Sequence, residues 1–224
     1  MRNGSFTALI AVRGGSSRVE KKNIRSFAGS SLLKIKVEQA LKIKSINKVI
    51  VSSDSEEMLN IALSLGAIPI KRPSKYCSNF VAMKEVYKHL AESIDGDHIV
   101  YLHVTSPLLK TSTLETSIEI YKKLEKNYSS LASVEHLMKY IWFKNKAINY
   151  DPNNHPRSQD LAKYYSLNFA INILPRQTMI ETKSILGNNF YPYFISDLES
   201  IDVDTELDFE IAEYIFRKTF LENN

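Results

Sequence analysis

The sequence predicts a doubly wound α/β domain with a mostly parallel sheet, and three observations support this fold class. Apolar segments of strand length alternate with segments whose apolar residues recur at helical spacing. The strand segments are continuous apolar runs, which is typical of strands that helices cover on both faces. The chain has 224 residues, 44% of them hydrophobic, so residues 1–224 are expected to form a single domain around one core.

The first half of the chain alternates regularly between the two types of element. The expected strands are 7–12, 48–52, 67–70 and 98–103, and the expected helices are 32–43, 53–66, 82–93 and 112–124. The second helix is expected to open on a capping box of Ser53 and Glu56 and to end at Gly66. Arg13, Ser53 and Thr105 each follow the end of an expected strand, where sheets of this kind bind their ligands.

The pattern becomes less regular in the second half. The expected elements are strands at 130–134, 167–174 and 191–195 and a final helix from Thr205 to about Leu221. Residues 140–150 are expected to form a hairpin that turns at Asn145-Lys146. Residues 135–172 are interpreted as an insertion that leaves the main sheet. The aromatic residues of this segment fit a partner surface and a local core equally well.

Composition argues against several classes of partner. Lysine and arginine number 29 against 25 aspartates and glutamates, and the two signs are interleaved, so no nucleic-acid partner is expected. The single cysteine, Cys77, excludes an intrachain disulfide and fits the reducing cytoplasm. The apolar run at 6–12 is too short for a signal peptide, and no run reaches the length of a membrane span, so no membrane partner is expected.

The loop after the first strand is rich in glycine and in cations. Gly14 and Gly15 allow backbone conformations that are closed to other residues, so that amides can point at a phosphate. The cations that can neutralise a triphosphate are Arg13, Arg18, Lys21 and Lys22. The spacing matches neither the Walker loop nor the dinucleotide fingerprint. A solvated basic turn is the alternative interpretation.

Two aspartates stand near the other end of the chain. Asp202 and Asp204 project to the same side if this segment is extended, and together they suit one hard divalent cation. Alternatively, Asp204 caps the final helix, with Thr205 and Asp208 forming a capping box. The two interpretations are compatible. A phosphate-binding loop and a carboxylate pair together indicate nucleotidyl transfer.

Polar residues in the middle of the chain supply further candidates. Arg72 follows a short strand and is either a phosphate clamp or a surface cation. Thr105 and Ser106 follow a buried strand, where their hydroxyls can cap the next helix or face a nucleobase. Arg157 lies in a polar loop, where it binds an anionic substrate or faces water.

Five segments resemble, in matching order over nearly the whole chain, the CMP-sialate (acylneuraminate) synthetase family of cytidylyltransferases. The segments are residues 12–18 with Lys22-Asn23-Ile24, residues 49–54, Arg72-Pro73, residues 102–108 and residues 200–208. The last of them, S-I-D-V-D-T-E-L-D, is nearly identical to the family's S-I-D-I-D-T-E-L-D. The resemblance implies a Rossmann-like nucleotide-diphospho-sugar transferase fold in which 135–172 is a dimerisation insertion.

The resemblance also implies a chemistry. An acidic acceptor would attack the α-phosphorus of CTP in line and release pyrophosphate, with Mg²⁺ as cofactor and a homodimer as the assembly. Asp202 and Asp204 would hold the metal and act in catalysis together with Arg13 and Lys22. The nucleotide-binding residues implied in this way are Arg13, Gly14, Gly15, Ser16, Arg18, Lys22, Asn23, Arg72, His103, Thr105 and Ser106.

The sequence departs from the family pattern where the acceptor is bound. The residues aligned with the acceptor pocket are Lys139, Arg157, Gln159, Asn168 and Phe169. Ser166 stands where the family has a second arginine, and Phe169 stands where it has a glycine. Serine cannot replace the two-pronged grip of arginine on a carboxylate. The expected acceptor is therefore a nonulosonic acid of the sialic acid type or a related acidic molecule.

Two other classes of function stay open on the sequence alone. A nucleotide-binding regulator that has lost catalysis would account for the altered acceptor segment. A nicotinamide oxidoreductase fits less well, because the glycine fingerprint of dinucleotide-binding folds is absent.

Overall fold

Strands and helices alternate along the chain in a computed structural model that describes residues 2–15 and 18–222. The strands are β1 Phe6–Ala11, β2 Lys48–Ser53, β3 Ile68–Lys71, β4 His98–Leu102, β5 Ser130–Leu137, β6 Trp142–Phe143, β7 Lys146–Ala147, β8 Tyr164–Pro175 and β9 Phe190–Phe194. The helices are α1 Leu32–Leu41, α2 Glu56–Ser64, α3 Met83–Glu92, α4 Thr111–Lys123, α5 Arg176–Thr182 and α6 Glu206–Phe216, which continues as a π-helical turn at Arg217–Leu221. Ser16, a predicted nucleotide-binding residue, lies outside the described residues.

One seven-stranded sheet, in the order β3-β2-β1-β4-β8-β5-β9, organises the fold. Neighbouring strands run parallel except β8, which is antiparallel to both β4 and β5. The carboxyl ends of β1, β2 and β4 and the amino-terminal half of β8 therefore lie at the same edge of the sheet. The predicted α/β class with a mostly parallel sheet is confirmed.

Strand β1 is buried on both faces, as its continuous apolar sequence predicts. Ala8 and Ile10 pack into the cluster on the side of α1, α2, α4 and α6, whereas Leu9 packs into the cluster on the side of α3 and α5. Burial of one such large apolar side chain contributes about 1.5–3 kcal/mol. Within the described residues, no helix is long and apolar enough to cross a membrane.

The start of α2 differs from the prediction. Ser55 is the N-cap, and its Oγ accepts a hydrogen bond from the Met58 amide at 3.4 Å. Ser53 is buried in β2, and its Oγ accepts from the Ser55 amide at 3.1 Å. The predicted capping box of Ser53 and Glu56 is therefore wrong, because β2 extends through Ser53 and keeps that residue in the sheet.

The segment that leaves the sheet is shorter than 135–172. Strand β5 continues to Leu137 and β8 begins at Tyr164, so residues 138–163 lie outside the sheet. The hairpin between β6 and β7 turns at Lys144 and Asn145, whose φ angles are 47° and 60°, and not at Asn145-Lys146. Two consecutive left-handed residues are the geometry of a tight hairpin turn that matches the twist of the strands.

Aromatic contacts hold residues 138–163, here called the insertion, together. The Trp142 Nε1 donates to the Tyr150 hydroxyl at 2.8 Å, and the Tyr140 ring meets the Tyr150 ring edge-on with 5.0 Å between centroids. Trp142 nevertheless remains 52% exposed and Phe143 62% exposed. The insertion thus has a local core and also presents aromatic surface to its surroundings.

We expect Ser55→Ala to lower the free energy of unfolding by about 1 kcal/mol, because it removes the capping acceptor at the start of α2. Ser55→Asp restores a capping oxygen and should stay within about 0.5 kcal/mol of the wild type. Urea unfolding followed by circular dichroism measures both variants. Equal losses in the two would contradict the assignment of Ser55 as the cap.

Candidate functional site

Three loops meet at the carboxyl edge of the sheet: the loop after β1, the turn after β4 and the segment before α6. The Val203 amide donates to the Thr105 carbonyl at 2.8 Å, which joins the segment before α6 to the turn after β4. The Val12 amide donates to the Ser52 carbonyl at 3.0 Å, which holds the start of the first loop beside β2. Segments from opposite ends of the sequence thereby line one edge.

Cations of the first loop reach the second aspartate. The Lys22 Nζ donates to the Val203 carbonyl at 2.6 Å and lies 3.6 Å from Asp204 Oδ1. The Arg18 Nη2 lies 2.9 Å from the same oxygen. The predicted meeting of the cationic loop with the aspartate pair is therefore observed for Arg18 and Lys22. The Arg18–Asp204 pair is exposed and contributes only about 0.2–1 kcal/mol, so little stability is lost when a ligand displaces Arg18.

The loop itself is tied to the start of α1. Asn23 is buried, and its Nδ2 donates to the Arg13 carbonyl at 3.3 Å. The Asn23 carbonyl accepts from the Leu33 amide at 2.9 Å. Lys21 adopts a left-handed φ of 49°, which turns the chain just before Lys22. Asn23 thus shapes the loop from inside the protein.

Arg13 and Gly14 contact residues that follow β3 and β2. The Arg13 Nη1 donates to Asn79 Oδ1 at 2.6 Å and to the Cys77 carbonyl at 3.2 Å, and none of its described contacts reaches Asp204. The Gly14 amide donates to Asp54 Oδ1 at 2.8 Å and already holds an acidic oxygen, as it would hold a phosphate oxygen. No described atom lies within 4 Å of the place a Gly15 Cβ would take.

Arg72 is buried and braces two loops against each other. Its Nε donates to Cys77 Sγ at 2.9 Å, and its Nη2 donates to the Val12 carbonyl. The guanidinium is therefore engaged by protein atoms in this structure, and it positions the loop after β1. A direct contact of Arg72 with a nucleotide stays a prediction.

Asp202 lies in surroundings that disfavour its charge. Burial is the main cause that raises its pKa, and the carboxylate of Asp204 adds to the rise. A hydrogen bond from the Thr105 hydroxyl and the positive charge of Lys22 oppose it. Asp202 is nevertheless an exposed residue, so a ligand can reach it from solvent. A divalent cation between the two carboxylates would relieve their repulsion, so these residues fit such an ion.

The aspartate pair suits an ion that arrives with its own ligands. Among residues 2–15 and 18–222, no group of three or more His, Cys, Asp or Glu side chains is arranged to hold a metal. Mg²⁺ commonly binds through one or two carboxylates and fills its other positions with substrate phosphates and water. The chemistry of Asp202 and Asp204 therefore fits Mg²⁺ bound together with a nucleotide.

The predicted capping box at the start of α6 is confirmed. Thr205 Oγ1 accepts from the Asp208 amide at 3.2 Å, and Asp208 Oδ2 accepts from the Thr205 amide at 2.8 Å. Thr205 is therefore the N-cap. The carboxylate of Asp204 is left to pair with the cations of the first loop.

The turn after β4 contains polar atoms that no described residue satisfies. His103 Nε2 and Ser106 Oγ are buried and lack a hydrogen-bond partner in the described part of the chain. Burial lowers the pKa of His103 to about 4, and the charges of Lys36 and Lys22 contribute, so the ring is neutral at pH 7. Buried polar atoms without partners call for an explanation, and at this edge a bound ligand supplies one.

Sequence reasoning missed Lys36, which supports this turn from α1. Lys36 is fully buried, and its Nζ donates to Gln39 Oε1 at 2.8 Å and to the Ser106 carbonyl at 3.0 Å. Burial lowers its pKa to about 7. The signal was available, because Lys36 stands three residues after Leu33 and therefore on the apolar stripe of α1.

Two of the predicted acceptor residues lie at the edge of the sheet. The Asn168 Nδ2 donates to Ser200 Oγ at 3.0 Å, close in sequence to the aspartate pair. The Phe169 ring lies 6.2 Å from the His103 ring, measured between centroids.

The other three, Lys139, Arg157 and Gln159, are exposed residues of the insertion. The Arg157 Nε donates to Asp160 Oδ2 at 2.7 Å. None of the contacts that the structure describes for the three reaches the turn after β4, so their role stays a prediction. Ser166, which stands in place of the family's arginine, donates to Glu135 Oε1 at 3.0 Å.

The sequence model of the cytidylyltransferase family matches residues 7–223. The chain belongs to this family of nucleotidyltransferases. CMP-N,N'-diacetyllegionaminic acid synthase of Legionella pneumophila is 27% identical over 219 residues, which cover 92% of this chain and 94% of that protein. The N-acylneuraminate cytidylyltransferase of Escherichia coli is 30% identical over 219 residues, covering 94% of this chain and 52% of that protein, so the chain spans about half of it.

A solved structure extends the likeness to the fold. The structure of CMP:2-keto-3-deoxy-manno-octonic acid synthetase complexed with CTP covers 96% of this chain and 99% of its own, with a TM-score of 0.70 at 14% identity. Identity this low shows the fold alone. The resemblance to the CMP-sialate synthetases that the motifs indicate is confirmed by the family match and the relatives, and the oxidoreductase alternative is set aside.

Lys36→Met should remove a pH-dependent cost of folding. The folded-state pKa of Lys36, about 7, lies below its ordinary value of 10.5. Between these values the unfolded chain holds a proton that the folded chain has lost, so wild-type stability rises with pH. The stability of the variant relative to the wild type should therefore fall by about 1.4 kcal/mol per pH unit between about pH 7.5 and 9.5.

Urea unfolding at a series of pH values measures this difference. Lys34→Met is the matched control, because Lys34 lies on the exposed face of α1 and stays in water in both states. If the difference in free energy of unfolding between Lys36→Met and the wild type does not change with pH, the lowered pKa of Lys36 is contradicted.

Proposed function

We propose that the protein is a CTP-dependent cytidylyltransferase that forms a CMP-activated acidic sugar of the nonulosonic-acid type and releases pyrophosphate. The observation that carries this proposal is the meeting of Lys22 and Arg18 with Asp204 at the carboxyl edge of the sheet, in a chain of the cytidylyltransferase family. A cationic loop beside a carboxylate pair suits a triphosphate and its divalent ion. Relatives named for legionaminic and N-acylneuraminic acids support the acceptor class.

The proposed reaction is an in-line displacement at the α-phosphorus of CTP. An acceptor oxygen forms the new P–O bond, the bond from the α-phosphorus to the oxygen bridging to the β-phosphorus breaks, and pyrophosphate carries that oxygen away. The acceptor hydroxyl releases its proton to solvent in this step. Catalysis of this kind depends mainly on positioning and on neutralising charge. Lys22 and Arg18 are proposed to bind the phosphates, and Arg13 joins them if its side chain leaves Asn79.

Asp202 and Asp204 are proposed to hold Mg²⁺. When bound, the ion would withdraw charge from the phosphate oxygens as a Lewis acid. The chain's own contribution is to keep the two carboxylates side by side. Thr105 binds Asp202, and Lys22 faces Asp204.

The remaining nucleotide contacts are proposed for the loop after β1 and the turn after β4. Gly14, Gly15 and Asn23 would shape the phosphate-binding loop. His103 Nε2 and Ser106 Oγ, which lack hydrogen-bond partners in the described part of the chain, would form hydrogen bonds with the nucleotide or the acceptor. Further residues proposed on the family pattern are Ser16, Arg72 and Thr105 for the nucleotide and Lys139, Arg157, Gln159, Asn168 and Phe169 for the acceptor.

The assembly we propose is a homodimer that forms through the insertion. Trp142 and Phe143 expose aromatic surface on a hairpin that stands outside the main sheet. Ile148, Tyr164 and Tyr165 add exposed apolar surface in the same part of the chain. Exposed aromatic residues of this kind are typical anchors of protein interfaces.

The cytoplasm is the compartment we propose for this reaction. Cys77 is a free thiol that contacts Arg72, and a reducing environment keeps it so.

Asp204→Asn keeps the shape of the side chain but removes its charge. We expect the variant to release pyrophosphate from CTP roughly 100- to 1,000-fold more slowly than the wild type, because a stabilising group for the phosphate charge is lost. The assay contains CTP, Mg²⁺ and a panel of nonulosonic acids. Asp202→Asn should show a loss of the same order.

Glu210→Gln is the matched control, because Glu210 is an exposed acid on α6 away from the aspartate pair. Its rate should equal that of the wild type, and thermal melts check that all variants are folded. Undiminished turnover in Asp204→Asn would contradict the metal assignment. If the wild type binds CTP tightly but turns over none of the acids, the proposed cytidylyltransferase activity is contradicted.

Trp142→Glu combined with Phe143→Glu should convert the dimer to a monomer, because two charges would have to be buried in the interface. Size-exclusion chromatography with light scattering measures the mass, which for the wild type should be twice the 25.6 kDa of one chain. Leu63→Glu is the control, because Leu63 is equally exposed but lies on α2. A monomeric wild type would contradict the proposed assembly.

A further inference from the structure

Phe169 has a backbone conformation that suits glycine. Its φ angle is +58°, in the left-handed region, although the residue belongs to strand β8. A bulky residue in this region carries strain of roughly 1–3 kcal/mol. Such strain persists only where the surrounding structure imposes it.

The hydrogen bonds around Phe169 impose this conformation. The pairing of β5 with β8 shifts register between Ala132 and Val134, and Ser133 stands at this irregularity. The Ser133 Oγ donates to Asn168 Oδ1 at 2.6 Å and accepts from the Ile171 amide at 2.9 Å. These bonds hold Asn168 and Ile171, which lie one residue before and two residues after Phe169.

Phe169 is only partly buried, unlike the residues that follow it. The Phe169 side chain is 37% exposed, whereas the neighbouring Ala170 and Ile171 are fully buried. A smaller or more flexible residue would relieve the backbone without opening the core. An aromatic ring kept at this cost and left accessible therefore points to a contact with something outside the chain.

The ring stands beside an unsatisfied polar atom. His103 lies 6.2 Å away between ring centroids, and its buried Nε2 lacks a partner in the described part of the chain. Tyr101 lies on another side of the imidazole, with 5.1 Å between centroids. An apolar surface and one hydrogen-bonding nitrogen thus lie next to each other.

This pair of rings is close to the proposed transfer site. Asn168 hydrogen-bonds Ser200, which stands two residues before Asp202. The charge of Lys22, which pairs with Asp204, is felt at His103. A molecule that contacts both rings would therefore lie near the phosphates of a bound nucleotide.

We propose that Phe169 determines acceptor specificity by packing against the methyl group of an N-acyl substituent whose amide hydrogen-bonds His103 Nε2. An amide offers both a donor and an acceptor, so it matches either tautomer of the neutral imidazole. A hydroxyl in its place also satisfies Nε2, but it leaves the exposed ring facing a polar group. This inference rests on the proposed cytidylyl transfer and names the part of the acceptor that the enzyme selects.

The test compares two acceptors, N,N'-diacetyllegionaminic acid and 2-keto-3-deoxy-manno-octonic acid, which lacks an acyl amide. Pyrophosphate release is measured with each acid under saturating CTP. The wild type should prefer the acylated acid. Phe169→Gly should raise KM for the acylated acid about tenfold, leave KM for CTP unchanged and reduce the preference between the acids. Loss of one methyl-sized contact in an apolar enzyme pocket corresponds to a change of roughly tenfold or more.

Two further readouts separate specificity from folding. Phe169→Gly should melt within a few degrees of the wild type, because glycine adopts φ +58° without strain and this relief offsets the loss of a partly buried ring. Phe169→Leu keeps an apolar side chain on the same backbone and should have an intermediate KM for the acylated acid.

The possible failures are distinguishable. A wild type that turns over the acylated acid, with KM unchanged in Phe169→Gly, overturns this inference alone. An equal rise of KM for CTP and for the acid overturns it as well, since the effect would then be structural. A wild type that releases no pyrophosphate with any acid overturns the proposed function and the acceptor role of Phe169 together.

Discussion

A main-chain hydrogen bond from the Val203 amide to the Thr105 carbonyl fixes how the site is assembled. Val203 is fully buried, so in an extended segment its two neighbours, Asp202 and Asp204, must turn toward the opposite side. The Val203 carbonyl also accepts a hydrogen bond from the Lys22 amine. One buried valine therefore sets the spacing of both carboxylates and of the cation that faces them.

Several lysines lie near the carboxyl edge of the sheet, and the acidic residues that they contact are less buried than they are. Lys36 is bound only to neutral oxygens, and its charge together with that of Lys22 helps to lower the pKa of His103. Lys22 shares its single carboxylate, Asp204, with Arg18. A protein that buries cations in this way loses stability when it is empty and regains it when an anion binds. The charge arrangement thus favours a polyanionic ligand independently of any one contact.

Much of the fold could be predicted because the pattern of apolar residues is strong where both faces of a strand are buried. Strand β8 was predicted too short, since its first residues, Tyr164 to Ser166, are polar or aromatic and pair at the exposed end of the sheet. The start of α2 was misplaced because three serines stand near it, and only the extent of β2 decides which one caps the helix.

The site could be predicted in outline for a topological reason. Strand ends of a parallel sheet gather at one edge, so the cationic loop and the aspartates were expected to meet there. The directions of the side chains could not be predicted. Arg13 turns to Asn79 and Arg72 turns inward to Val12, choices that depend on tertiary packing. Lys36 was missed because charged residues are rarely fully buried.

The length of β8 has a mechanical consequence. This strand begins where the insertion ends, passes Phe169 at the ligand edge, and finishes at the far side of the sheet opposite His98. Strand β8 is continuous from the insertion to the segment around Phe169 and pairs with β4 and β5 beyond it. Contact of a partner with the insertion would therefore act close to the acceptor side of the site.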